Sequence, residues 1–139
     1  MEQELLQLDG GQLTGPQVTA VARKGTRVKI GENAIALMNA ARETVENMLK
    51  SDTPTYGINT GFGALSMTSI SQDQLGRLQM NIIRSHAAGV GEPLDVDIVR
   101  GMMVLLAASL CRGHSGTRPI VAETIVQMLN AGVTPKIPS

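Results

Sequence analysis

The stretch PLDVDIVRGMMVLLAASLCRG, residues 93 to 113, is the segment of the chain that decides what kind of fold the rest must build. Five apolar residues in it recur at helical spacing and form one stripe: Val96, Val99, Met103, Leu106 and Leu110. Met102, Leu105 and Cys111 fill much of the remaining circumference. A helix that is apolar on most sides is expected to be buried. The sequence therefore predicts a central helix that other helices must surround.

Helical periodicity also appears on both sides of this segment. It predicts helices over three further long stretches and one short one: residues 32–50, 69–89, 115–132 and 15–25. Ser71 is a candidate N-cap for the second of these, and Ser115 or Thr117 for the third. Gly25 and Gly132 fit the glycine position that follows a helix end. Gly89 and Gly91 are expected to end the helix over 69–89.

The first 30 residues have a more mixed pattern. LDGGQLTG, residues 8–15, contains two turn signals and suits a short strand or hairpin, and TRVKI, residues 26–30, alternates weakly as a strand does. We therefore predict a mainly α fold with a short strand or hairpin region near residues 5–30. The four long helices, of which the apolar helix at 93–113 is one, do not suffice to bury that helix on all sides. This incomplete burial predicts an incomplete domain or an oligomer.

Charge and composition exclude several function classes. The formal net charge is zero with a pI of about 6.7, so we expect neither nucleic acid nor an anionic membrane as partner. The longest apolar run, residues 101–111, is too short to span a bilayer, and the N-terminus does not resemble a secretory signal. Cys111 is the only cysteine and is expected to be a small buried hydrophobe. These features predict a soluble cytoplasmic protein.

The stretch PTYGINTGFGALS, residues 54–66, holds the only tyrosine and the only phenylalanine of the chain. Its glycines permit positive φ and close approach to a ligand, and Asn59 and Thr60 offer turn-forming side chains. Two interpretations stay open on these residues alone. A tight hairpin in which Tyr56 and Phe62 plug the edge of a core is favoured, and a functional loop is the alternative.

The two histidines complete the candidates for chemistry, because phosphate-binding, zinc-binding and dinucleotide-binding motifs do not occur in the sequence and no metal site is expected. His86 follows Ile82 by four residues and shares one helical face with Leu75 and Leu78. A lone histidine there is more often a hydrogen-bonded core residue than a ligand. His114 follows Gly113 and suits a helix terminus.

Two long motifs in this order resemble the aromatic amino acid ammonia-lyase family, which contains histidine, tyrosine and phenylalanine ammonia-lyases and related aminomutases. They are YGINTGFG at 56–63 and LQMNIIRSHAAGVGEPL at 78–94. LDGGQLT and VARKGTRV resemble the family's N-terminal opening, and residues 111–138 resemble the segment that leads to its electrophile. The resemblance runs essentially end to end and is closest in look to histidine ammonia-lyase. It implies the N-terminal helical portion of the ammonia-lyase fold.

The resemblance also implies a mechanism and site residues. The family uses no external cofactor, because an Ala-Ser-Gly triplet cyclises into a methylidene-imidazolone electrophile. The tyrosine of the glycine loop, here Tyr56, removes a β-proton, and ammonia leaves to give an α,β-unsaturated acid. His86 corresponds to a position that contacts the substrate side chain, and a histidine there resembles the histidine and tyrosine enzymes. The residues of the implied lid loop are Gly57, Asn59, Thr60, Gly61, Phe62 and Gly63. His114 and Arg118 match the family pattern and are interpreted as structural.

The sequence departs from the family in one large respect. No Ala-Ser-Gly triplet occurs in residues 1–139, and the central helical bundle is also absent. We therefore expect a single N-terminal domain or fragment that is inactive alone and needs the remainder of the lyase chain or a partner chain. The family implies an amino acid substrate and a homotetramer. The alternatives are a tyrosine ammonia-lyase or aminomutase, or a non-catalytic helical assembly module.

Overall fold

The structure, a computed structural model, describes residues 5–50, 55–60 and 72–139. Its elements follow the chain in this order: β1 (Leu5–Leu8), α1 (Gly15–Lys24), β2 (Arg27–Ile30), α2 (Glu32–Leu49), α3 (Gln72–His86), α4 (Val96–Cys111) and α5 (Pro119–Asn130). Five helices and two short strands confirm the mainly α fold. Two compact units are present, one made of residues 1–43 and 91–139 and the other of residues 44–90.

The two strands are parallel, with Leu6 opposite Val28. The hairpin alternative for residues 5–30 is therefore wrong, because a hairpin joins antiparallel strands and parallel strands need a crossover. Helix α1 provides that crossover. It begins at a capping box in which Thr14 and Gln17 satisfy each other's backbone N–H groups, and it ends at Gly25 with φ 69°. The turn signals near residue 10 thus lead into a helix cap.

The core of the first unit lies where α4 packs against α1, α5 and β1. Its buried members are aliphatic or small, as the near absence of aromatic residues predicts. They include Val21, Val28, Met38, Val99, Val104, Ala107, Cys111, Ala122 and Leu129. The predicted central position of residues 93–113 is confirmed, although the buried stripe of α4 differs from the predicted one. Val96 and Leu106 from the predicted stripe are 62% and 53% exposed.

The exposed side of α4 carries a line of apolar residues. Ile98, Met102 and Leu105 succeed one another at spacings of four and three residues, and each is about half exposed. Spacing of this kind places side chains along one seam of a helix, as in helix pairs that pack at a shallow angle. The described part of the chain does not cover this seam, which is the incomplete burial that the apolar character of α4 predicts.

Arg100 is the one charged residue in the buried face of α4, and only 9% of it is exposed. Its guanidinium donates to the carbonyl of Val21 at 3.0 and 3.3 Å and to the carbonyl of Leu129 at 3.1 Å. These carbonyls belong to the last turns of α1 and α5, where helices leave C=O groups unsatisfied and carry partial negative charge. One buried guanidinium therefore donates hydrogen bonds to carbonyl groups at the ends of two helices.

The ends of α3 and α5 correct some details of the prediction. Helix α3 ends at His86, before the glycines expected to end it, and the proposed cap Ser71 lies outside the described residues. Neither Ser115 nor Thr117 caps α5, because its N-cap is Arg118 and Pro119 fixes its first turn. Gly132, with φ 71°, follows α5 as expected. None of the helices in the described ranges is long and apolar enough to cross a membrane.

Candidate functional site

The predicted site residues that the structure describes all lie in the unit of residues 44–90. Tyr56, Gly57, Asn59 and Thr60 belong to a turn over residues 55–60, and His86 is the last residue of α3. Gly61, Phe62 and Gly63, the remaining members of the implied lid loop, lie outside the described residues. The fold thus places the candidate base and the candidate specificity residue in one compact unit.

The turn is closed by a reciprocal pair of hydrogen bonds between its first and fifth residues. The N–H of Thr55 donates to Oδ1 of Asn59 at 2.7 Å, and the N–H of Asn59 donates to the carbonyl of Thr55 at 3.2 Å. Ile58 donates to the same carbonyl at 3.0 Å. Gly57, at φ 75°, occupies the left-handed region that favours glycine. An asparagine side chain that bonds to nearby backbone in this way is a common turn-forming device.

The same turn separates buried residues from an exposed one. Asn59 and Thr60 are 6% and 1% exposed, whereas Tyr56 is 64% exposed. The interpretation of Tyr56 as a plug at the edge of the core is therefore wrong. Because the Asn59 side chain holds the turn, Tyr56 lies on a backbone that hydrogen bonds fix.

His86 is also exposed, although Leu78 and Ile82 on the same face of α3 are partly buried. The interpretation of His86 as a core histidine is therefore wrong. Its imidazole makes polar contacts in its own helical turn, with Nδ1 lying 2.9 Å from the carbonyl oxygen of Ile82 and 3.0 Å from Oγ of Ser85. Sequence reasoning did not single out Ser85, since one serine on a polar helix end carries no distinctive pattern.

The other candidates lie outside this unit. His114 is exposed in the segment after α4, and Arg118 is the N-cap of α5. Cys111 is fully buried, and burial, with a smaller effect of the Asp9 charge, raises the pKa of its thiol to about 11. A thiol that resists ionisation is a poor nucleophile, in agreement with its interpretation as a buried hydrophobe. Among the described residues, no group of three or more His, Cys, Asp or Glu side chains could hold a metal ion.

Solved structures of longer chains share this fold. A tyrosine aminomutase from Streptomyces globisporus matches 96% of the chain with a TM-score of 0.89 and 35% identity, and the match covers 25% of that structure. A histidine ammonia-lyase from Trypanosoma cruzi matches 96% of the chain with a TM-score of 0.86 and 41% identity, over 26% of its own length. The described architecture is therefore that of a segment of these enzymes.

Sequence comparison agrees with the structural one. A histidine ammonia-lyase of Streptomyces coelicolor is 46% identical over 125 residues, which are 90% of this chain and 24% of that protein. A histidine ammonia-lyase of Treponema denticola is 46% identical over 93% of this chain and 25% of its own length. The chain spans about a quarter of the length of these curated relatives. The family model described as aromatic amino acid lyase matches residues 13–139, and the chain therefore belongs to the aromatic amino acid lyase family.

Proposed function

We propose that the protein containing this chain is an ammonia-lyase that acts on histidine, with Tyr56 as the base and His86 as a contact for the substrate side chain. The observation that carries the proposal is the similarity to curated histidine ammonia-lyases, at 42 to 46% identity over 90% or more of the chain. The exposure of Tyr56 and His86 supports it, because both rings are open to a small substrate.

In this proposal the chain contributes the proton acceptor of an elimination. The oxygen of Tyr56, as phenolate, takes a proton from the β-carbon of the substrate. The electron pair of that C–H bond forms the Cα=Cβ double bond, and the bond between the α-carbon and nitrogen breaks. Ammonia and an α,β-unsaturated acid, urocanate in the case of histidine, are the products. The closed turn at residues 55–60 fixes the backbone that carries Tyr56, which favours reaction by orientation.

The electrophile of the family is not formed by these residues. The methylidene-imidazolone group activates the substrate for loss of its amine and arises from an Ala-Ser-Gly triplet, which does not occur in residues 1–139. We therefore place the electrophile elsewhere in the complete protein and expect residues 1–139 alone to be inactive. No external cofactor is included in the proposal.

The exposed seam of α4 supports the need for further protein. Ile98, Met102 and Leu105 would contact water in an isolated chain at a cost, since burying apolar area is favourable by about 25 cal/mol per Å². The remainder of the lyase, within one subunit or across a homotetramer, is the proposed cover. A cytoplasmic location is part of the same proposal.

An assay of the complete protein tests the substrate. Histidine, tyrosine and phenylalanine are supplied separately, and the ultraviolet absorbance of urocanate, coumarate and cinnamate is followed. We expect urocanate from histidine. Tyr56→Phe tests the assignment of the base, since it removes only the phenolic oxygen of an exposed side chain. This variant should lower turnover at least about 100-fold without unfolding the protein. Absence of urocanate, or turnover by Tyr56→Phe near that of the unmodified protein, contradicts the proposal.

A tyrosine-specific enzyme is the second candidate, supported by the match to tyrosine aminomutase structures at TM-scores of 0.89 to 0.90. A lyase would convert tyrosine into coumarate and free ammonia, whereas an aminomutase would return the amino group to the β-carbon. Chromatography of the tyrosine reaction for β-tyrosine, combined with an ammonia assay, separates the two. A non-catalytic assembly module would give none of these products.

A further inference from the structure

The exposed seam of α4 continues in register to both ends of the helix. Its spacing alternates between three and four residues and runs through six exposed positions: Asp95, Ile98, Met102, Leu105, Ser109 and Arg112. Asp95 and Arg112 are the residues that flank the helix at its N-cap and C-cap. This face of α4 therefore has an apolar middle, one acidic end and one basic end.

The spacing and the relief of this face suit a second helix. Alternating steps of three and four residues are those of a helix that pairs with another helix along its length. A groove of about 230 Å³ lies beside the seam, between α4 and residues 11–13, and Leu105 and Arg112 are among the residues that line it. Such a depression suits helix pairing, because side chains of one helix fill holes between the side chains of the other.

The charges at the two ends indicate the direction of the partner helix. The carboxylate of Asp95 makes no cap hydrogen bond to its own helix. Helices favour acidic side chains in their first turn and basic ones in their last turn, because of the helix dipole. In an antiparallel partner the first turn would lie beside Arg112 and the last turn beside Asp95, so that opposite charges meet. A parallel partner with the same charges would bring like charges together.

The area of the seam favours a partner from the same polypeptide. Ile98, Met102 and Leu105 are 49%, 46% and 50% exposed. Half-exposed side chains of this size offer on the order of 100 Å² each, whereas a stable interface between separate chains takes about 800 Å² from each partner. A covalently linked segment needs less area, since linkage removes much of the entropic cost of association. The chain spans about a quarter of the length of its curated relatives, which leaves room for such a helix.

We propose that one helix of the complete polypeptide, outside residues 1–139, docks antiparallel along the seam of α4. This helix is apolar in the middle of its contact face, with an acidic residue in its first turn facing Arg112 and a basic residue in its last turn facing Asp95. The proposal rests on one part of the proposed function, namely that further protein covers the seam. It adds the kind of segment, its direction and its charges.

Photo-crosslinking in the complete protein identifies the partner. The photoreactive residue p-benzoylphenylalanine replaces Met102, and after irradiation the products are separated on a denaturing gel and read by peptide mass spectrometry. We expect a cross-link within one polypeptide, to a helical segment outside residues 1–139. Cross-links that join two copies, cross-links within residues 1–139, or the absence of any cross-link overturn the proposal.

Two further probes near the ends of the seam read the direction. The same photoreactive residue at Ile98 and at Ser109 should label sites roughly 11 residues apart on one helix, the separation of the probes along α4. In an antiparallel partner the site labelled from Ile98 comes later in the sequence than the site labelled from Ser109. The reverse order overturns the proposed direction. A probe at Asn39, which is exposed on α2, is the control and should not label this helix.

Charge reversal tests the basic end of the seam. Arg112→Glu and reversal of the acidic residue that cross-linking finds opposite it are made singly and together. Each single reversal brings like charges together, whereas the double variant restores opposite charges. We expect the unfolding equilibrium constant of the double variant to be about 2- to 5-fold lower than the two single effects combined would give. Independent effects, or an opposing residue that is not acidic, overturn the charge pairing.

The cross-links do not depend on turnover, so the two proposals fail separately. If the complete protein gives no urocanate but the cross-links form in the expected order, the proposed function fails and the helix partner stands. If histidine is turned over and the probe at Met102 joins two copies, the proposed function stands and the helix partner is refuted.

Discussion

The side-chain amide of Asn130 pairs with the backbone of Val28 as a neighbouring strand would. Its Oδ1 accepts from the N–H of Val28 at 2.9 Å, and its Nδ2 donates to the carbonyl of Val28 at 2.8 Å. Strand β2 has β1 on one side only, and an open strand edge leaves backbone groups that need partners. One residue at the end of α5 thus satisfies the outer edge of β2 and ties helix to sheet.

Asn130→Asp should destabilise the protein although it changes one atom. A carboxylate can still accept from Val28 N–H, but its second oxygen would face the Val28 carbonyl without a proton. The new negative charge would also lie at the C-terminal end of α5, where the helix dipole disfavours it. We expect a loss of about 1–3 kcal/mol in the free energy of unfolding near neutral pH, measured by urea denaturation.

The pH dependence of this variant gives a further check. Protonating the new carboxyl restores a donor for Val28, so its pKa in the folded state should lie above the value of about 4 in the unfolded state. A raised folded-state pKa gives stability that is present below about pH 4 and lost as the pH rises. Asn39→Asp, at an exposed position of α2, is the control and should lack this dependence. Equal effects of the two substitutions would refute the pairing.

Arg100→Met should lower stability by about 2 kcal/mol, because the last-turn carbonyl of Val21 loses its guanidinium donors. The carbonyl of Leu129 also accepts from Gly132 at 3.3 Å and is less affected. The stability of Arg100→Lys should lie between that of the unmodified protein and that of Arg100→Met, since one ammonium group cannot reproduce the paired donors of a guanidinium. Thermal unfolding measures the series, with exposed Arg112→Met, at the C-cap that follows α4, as the control. A loss in Arg100→Met no larger than that in the control would contradict the capping role.

Two glycines of α4 and its end should respond in opposite ways to alanine. A Cβ at Gly113 would lie 2.7 Å from the backbone carbon and oxygen of Leu37, and its φ of +70° is unfavourable for alanine. We expect Gly113→Ala to cost about 2–4 kcal/mol. A Cβ at Gly101 would meet only Val18 Cγ1 at 3.9 Å, so Gly101→Ala should stabilise by about 0.5–1 kcal/mol. Urea denaturation of both variants would show the opposite signs, and a stable Gly113→Ala would disprove the close approach.

Local patterns in the sequence account for most of the helices. Periodicity predicts a helix over 32–50 and the structure has one over Glu32–Leu49, and glycine chemistry locates the end of α1 at Gly25. The parallel pairing of β1 with β2 could not be predicted in this way. Each strand has four residues, and their pairing depends on a crossover helix and on packing against α4 and α5. Turn-forming residues between them are compatible with either a hairpin or a helix cap.

Long-range polar contacts were also beyond local reasoning. Arg100 reaches Val21 across 79 positions, and Asn130 reaches Val28 across 102. The sequence does contain a hint, since an arginine within the apolar helix at 93–113 must find buried acceptors. In the site, the resemblance pointed to Tyr56 and His86, while spacing alone favoured burial for both. Their exposure is a tertiary property, because it depends on what packs against α3 and the turn at 55–60.

Cys111 offers a prediction about stability at high pH. Burial raises the pKa of its thiol from 9.0 to about 11, and the charge of Asp9 adds to this. Because the folded-state pKa is above the unfolded value, the associated stability is present below about pH 9 and is lost as the pH rises toward 11. The free energy of unfolding lost between pH 9 and pH 11 is about 3 kcal/mol at most. Cys111→Ala removes the titration, although it also loses some packing at all pH values.

Comparing the unmodified protein with Cys111→Ala isolates the effect of thiol ionisation on stability. We expect the difference in unfolding free energy between the unmodified protein and Cys111→Ala to shrink between about pH 9 and pH 11. Below pH 9 the difference should be constant, since the thiol is then neutral in both the folded and unfolded states. Thiolate absorbance, measured against Cys111→Ala, reports the pKa directly because the chain has one cysteine. Ionisation near pH 9 in the folded protein would show that the thiol is not desolvated as its burial requires.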